Sequence, residues 1–110
     1  MAGRPMTEPT HTPWPGDAPP TESDLDRTLA DEGLEPHWWG NGPGDRYPAH
    51  EHTYHKVLFC LSGSITFSLQ PDGPRFTLRP GDRLDLPPGT SHAAAVGPEG
   101  CRCVEGWRHA

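Results

Sequence analysis

From Leu34 onward the chain alternates short apolar or aromatic runs with clusters rich in Gly, Pro, Ser, Asn and Asp at 40–44, 62–64, 71–74, 80–82, 87–89 and 97–100. The runs between them predict strands at 34–39, 46–52, 57–61, 65–69, 75–79, 83–86, 92–96 and 101–107. Short strands at this spacing, divided by turn residues, argue an antiparallel sandwich or barrel. Residues 57–61 are apolar at every position, so both faces of that strand need cover. A second sheet edge, the preceding helix or another subunit could supply it. Ile65 and Phe67 alternate with Thr66 and Ser68, the pattern of a strand buried on one side.

The first part of the chain reads differently. Residues 1–22 carry six prolines and almost no periodic apolar pattern, which predicts a disordered or loosely extended arm. Ser23, followed by Asp26 and stopped at Gly33, marks a short helix over 23–33. Leu25 and Leu29 give it one narrow apolar edge. A helix of about three turns is not stable alone, so it must dock on the domain or fray. The β domain then runs over 34–110.

Composition alone points toward disorder. Leu, Ile, Val and Phe make up only 16 of 110 residues, Gly and Pro number 13 and 15, and the net charge is −6. Position changes that picture: Leu25, Leu29 and Leu34 are the only three of the sixteen before residue 56. The averages therefore mix an arm with a small domain. They exclude a large helical core, and the longest apolar run, 57–61, is too short to span a bilayer. Acids outnumber bases by 15 to 9 and Lys56 is the only lysine, so neither nucleic acid nor a membrane is an expected partner. With no basic-then-apolar leader and an odd set of cysteines, a reduced cytoplasmic setting is expected. Cys101 and Cys103 share one strand face; they and Cys60 read as small buried thiols sooner than as a metal or redox pair.

The candidate chemistry lies in the histidines. His50 and His52 are two apart, so on a strand both rings project to one face and form half a metal site. His55 has the opposite parity and points outward unless the strand bends. His37 and His109 have no spacing partner, and His11 lies in the arm. The full spacing is Gly44-x5-His50-x-His52-x3-Lys56-x6-Gly63, then Gly81-x5-Pro87-x-Gly89-x2-His92-x3-Val96. These two segments resemble the paired motifs of the cupin superfamily, matching eight of ten anchor positions over residues 44–96. The departures are Lys56, where the family has glutamate, and Val96, where it often has asparagine. The resemblance implies an all-β, cupin-type double-stranded β-helix, a jelly-roll barrel preceded by the short helix and the Pro-rich arm. It also implies His50, His52 and His92 as ligands of a divalent transition metal. Imidazoles alone do not choose among Fe, Zn, Ni, Mn and Cu.

Lys56 is the informative departure. An ammonium at ligand distance repels a divalent cation. Three outcomes stay open: Lys56 turns away or pairs with an acid, leaving a three-histidine site; it is neutral and serves as a catalytic base or ligand; or the metal is gone and the pocket is merely polar. A three-histidine shell resembles that of cupin dioxygenases acting on thiols or diketones, and with other metals it suits an isomerase or lyase. The competing class is a non-enzymatic module that binds a small molecule or metal, or acts as a sensor. Ser91-His92 is no catalytic dyad, since the two are merely adjacent. Trp38, Trp39, Tyr47 and Tyr54 flank the first motif, as pocket lining or as core. Arg83 and Asp85 share a strand face and read as exposed charges. A homodimer is expected from the two apolar faces of 57–61 and the thin core.

Overall fold

Two long strands, β4 (His55–Leu69) and β7 (His92–Arg108), pair antiparallel from end to end, His55 opposite Arg108 and Leu69 opposite His92. In this computed structural model, which describes residues 8–109, they carry the other strands. Those are β1 (Thr10–Thr12), β2 (His37–Asn41), β3 (Arg46–His50), β5 (Arg75–Leu78) and β6 (Arg83–Leu86). The sheet runs β1-β6-β4-β7-β2, while β5 pairs with the later half of β4 and β3 with the earlier half of β7. The result is an antiparallel barrel that encloses Leu58, Ile65, Phe67, Leu78, Leu84 and Leu86.

The segments expected at 57–61 and 65–69 are one strand, as are those at 92–96 and 101–107. The reason is that 62–64 and 97–100 are opposed irregularities inside a continuous ladder. The register shifts between Cys60 and Ser62 and again between Gly63 and Ile65, and Gly63 lies opposite Cys101. Gly63 has φ +70°, and a Cβ there would sit 1.9 Å from the Gly100 carbonyl oxygen, so only glycine fits. The irregularity also flips which residues face inward. On β4, Lys56, Leu58 and Cys60 face the interior before it, and Ile65 and Phe67 after it. On β7, His92, Ala94 and Val96 face in before it, and Cys101, Cys103 and Glu105 after it.

Helix α1 (Glu22–Asp31) covers the other face of β4. Its cap is Thr21 in place of the expected Ser23. The Thr21 hydroxyl accepts from the Asp24 N–H at 3.1 Å, and the Asp24 carboxylate accepts from the Thr21 N–H at 2.9 Å. The sequence holds two overlapping frames, Thr21/Asp24 and Ser23/Asp26, and Asp26 is engaged by the Trp38 indole N–H at 2.9 Å. Leu25 and Leu29 are fully buried against Val57, Phe59 and Val104. Burial of each leucine contributes on the order of 2 kcal/mol. The double-sided strand from which a homodimer was expected thus finds its second cover within its own chain.

The first seven positions of the expected arm lie outside the described residues. Beyond them Thr10–Thr12 runs as β1 along β6, and the Trp14 N–H donates to Asp82 at 3.0 Å. Arg83 and Asp85 are not the exposed charges expected. Asp85 is only 4% exposed and lies in the network Glu32–Arg83–Asp85–His55, in which Arg83 bridges it to Glu32 just past the end of α1. Among the described residues no helix is long and apolar enough to cross a membrane.

Candidate metal centre

Strand pairing sets His50 of β3 directly opposite His92 of β7. His52 follows just past the end of β3, where its carbonyl accepts from the Gly89 N–H at 2.8 Å. That bond docks the turn of the second motif onto the first. One ligand atom from each of the three imidazoles lies within 4.8 Å of the others, a grouping that could hold a metal ion. The Nδ1 atoms of His50 and His92 sit 2.8 Å from the carbonyls of Pro48 and Thr90. A carbonyl can only accept, so each Nδ1 carries the proton and each Nε2 presents its lone pair.

The Nε2 atoms of His52 and His92 are buried without any hydrogen-bond partner. A buried polar atom left in this way costs about 1–3 kcal/mol. Burial, reinforced by the neighbouring charges of Lys56, His50 and His92, pushes His52 down to about 4. Burial likewise lowers His92, against the opposing bond to the Thr90 carbonyl. Near neutral pH both rings are therefore in the neutral form that a metal requires. The donor set and its orphaned nitrogens fit a divalent transition metal.

His50 and His92 also line a cavity of about 230 Å³ whose apolar walls include Trp39, Tyr47, Ile65 and Phe67. Lys56, where the motif has glutamate, points into it and is 8% exposed. Its Nζ lies 3.6 Å from Oε2 of Glu105, which is equally buried. Trp39 Nε1 donates to Glu105 Oε1 at 2.8 Å, and Trp107 Nε1 donates to Oε2. Glu105 was not among the candidates read from the sequence. It shares the alternation of Cys101 and Cys103, but its burial depends on the parity flip within β7.

The remaining candidates separate clearly. Tyr47 lines the cavity and donates to Asn41 Oδ1, and Tyr54 stacks on His52 with ring centroids 4.8 Å apart. Trp38 packs outside the barrel beside α1. His55 turns away from the cavity to Asp85, at 2.9 Å. His37 stacks on Trp107, His109 lies against Tyr54, and His11 pairs with Asp82. The three cysteines are buried free thiols deeper in the barrel. A shared hydrogen bond with Cys60, together with burial, holds the Cys103 thiol far above the usual range.

Comparison with known proteins agrees with this architecture. A family model described as Cupin domain matches residues 35–106. The crystal structure of DMSP lyase DddQ from Ruegeria pomeroyi DSS-3 is similar at 28% identity and TM-score 0.63, covering 69% of this chain and 38% of that one. The chain therefore spans well under two thirds of that lyase's length. An RmlC-like cupin from Shewanella frigidimarina NCIMB 400 is similar at 23% identity and TM-score 0.60, covering 70% of this chain and 67% of that one. KdgF from Halomonas sp. is similar at 20% identity and TM-score 0.58, covering 70% of each chain. The last two likenesses speak to the fold alone. No curated protein sequence gives a significant match.

Proposed function

The chain belongs to the cupin family, and on that premise we propose that it is a metal-binding small cupin acting on a small molecule. His50, His52 and His92 hold a divalent transition metal, and the reaction is of the lyase or isomerase type. The observation that carries this reading is the pair of buried, partnerless Nε2 atoms on His52 and His92, converging with His50 beside a cavity. When bound, the metal supplies Lewis-acid polarisation of a substrate oxygen. The chain's own residues orient the imidazoles of His50 and His92 through the Pro48 and Thr90 carbonyls and line the cavity with Trp39, Tyr47 and Phe67. A matched structure of 28% identity is named as a lyase, which supports that class over the oxygenase reading.

Untagged protein should be reconstituted separately with Fe, Zn, Ni, Mn and Cu, dialysed and analysed for metal. The expected result is close to one equivalent of at least one metal; less than about 0.1 per chain with every metal overturns the reading. Metal binding without turnover of any lyase or isomerase substrate, and without oxygen uptake on thiols or diketones under Fe(II), would place the protein among binding modules.

A further inference from the structure

We infer that the cavity takes a small carboxylate, anchored by Lys56 beside the three-histidine site. The inference deepens the metal-site reading and borrows its orientation from it, but it stands on Lys56 and Glu105. Lys56 is buried, faces the cavity and carries three N–H donors. Among the described residues its only charged partner is Glu105, and 3.6 Å is longer than an ordinary N–H···O bond. Glu105 does not swing closer, because each of its oxygens is held by an indole N–H, from Trp39 and from Trp107. The ammonium is thus balanced in charge by a fixed carboxylate yet left with donors to spare.

Charge balance points the same way. Three neutral imidazoles leave a bound divalent ion's two positive charges uncompensated, and Lys56 and Glu105 cancel each other. An anionic ligand would neutralise part of that excess in a low-dielectric barrel. The cavity of about 230 Å³ is smaller than the roughly 300–1,000 Å³ typical of drug-sized ligands. Its walls, Trp39, Tyr47, Ile65 and Phe67, suit a short apolar or unsaturated chain behind the carboxylate.

The test uses butanoate and its neutral isostere butyramide, titrated by ligand-observed NMR into the full chain, metal-free and zinc-loaded. Butanoate is expected to bind about tenfold more tightly than butyramide, because its contact with Lys56 is charge-assisted. Lys56→Met is expected to abolish that preference in the metal-free chain and to retain zinc in the loaded one. Glu105→Gln, which removes the competing internal carboxylate, is expected to tighten butanoate severalfold, and it keeps the inference testable if Lys56→Met does not fold. In the metal-free chain, equal affinity for the two probes, a full preference in Lys56→Met, or unchanged or weaker butanoate binding in Glu105→Gln overturns the inference. The metal-free arm keeps the two readings apart. Absence of binding of zinc and of the other four metals, with the carboxylate preference intact, sinks only the metal site; full zinc loading with no preference in the metal-free chain sinks only the carboxylate anchor.

Discussion

His55 and Lys56 are neighbours in sequence, yet they enter two ionisable clusters that end differently. His55 points outward into Glu32–Arg83–Asp85, where Arg83 reaches both carboxylates and His55 and Arg108 complete the set. Both Asp85 oxygens and both Glu32 oxygens have partners there. Lys56 points inward to a cluster in which two imidazole nitrogens have none and the ammonium has only a long ion pair. A buried charge network with every valence met ties elements together. One with valences left over inside a cavity is arranged for something that is not protein. The outer cluster fastens α1 to the barrel; the inner one is the proposed ligand site.

The sharpest way to break this contrast is to exchange the two kinds of damage. Asp85→Ala leaves His55 without its partner and Arg83 with Glu32 alone, and should cost about 1–3 kcal/mol by urea unfolding, with metal affinity unchanged. His92→Phe should abolish metal binding yet leave the metal-free protein within about 1 kcal/mol of wild type, since the lost bond from Nδ1 to the Thr90 carbonyl is offset by removal of the buried Nε2 that had no partner. If Asp85→Ala lost the metal, or His92→Phe unfolded the chain, the assignment of roles would be reversed.

Acid should separate the clusters by pH window. His52 and His92 titrate lower in the folded chain than in the unfolded one, so between the two values the unfolded state holds more protons. Their contribution is present above about pH 6.5 and is lost as pH falls below it, for His52 down to about 4. Glu32 is held low by its bonds to Arg83; at Asp85 burial pulls upward, but the bonds from Arg83 and His55 outweigh it. The outer cluster therefore keeps its contribution until pH falls below the ordinary carboxylate range. Metal-free protein should lose urea resistance between pH 7 and 5, and the double variant His52→Phe/His92→Phe should lose less. Equal slopes would contradict the account.

Two smaller effects follow. Lys56→Glu restores a carboxylate at the motif position and removes a repelling charge, so zinc affinity by competition titration should rise about tenfold. Glu22→Gln breaks an exposed pair with Arg102 and should shift stability by at most about 1 kcal/mol.

Much of this was legible in the residues. The two-residue spacing of His50 and His52, and the turn from Gly81 to His92, are local patterns whose glycines and proline have geometric reasons. Lys56 stood out as the departure because the pattern around it was otherwise kept. Glu105 was not legible, since its burial depends on irregularities opposite each other on two distant strands and on indole donors from β2 and β7. The network around Asp85 was equally hidden: Glu32 is 51 positions from Arg83 in sequence and meets it only when α1 docks. Thr21 and Ser23 both satisfied the local capping rule, and Trp38, by engaging Asp26, is a tertiary partner that accompanies the Thr21 frame. Local chemistry was readable; which valences end up satisfied depends on contacts made by the whole fold.

The central claim is that a metal is held here by imidazoles. X-ray absorption on the zinc-loaded chain tests it most directly. The account predicts nitrogen and oxygen neighbours at about 2.0–2.1 Å with the outer-shell scattering of three imidazole rings. A sulfur neighbour at about 2.3 Å, which would implicate the buried cysteines, or failure to retain zinc and each of the other four metals would contradict it.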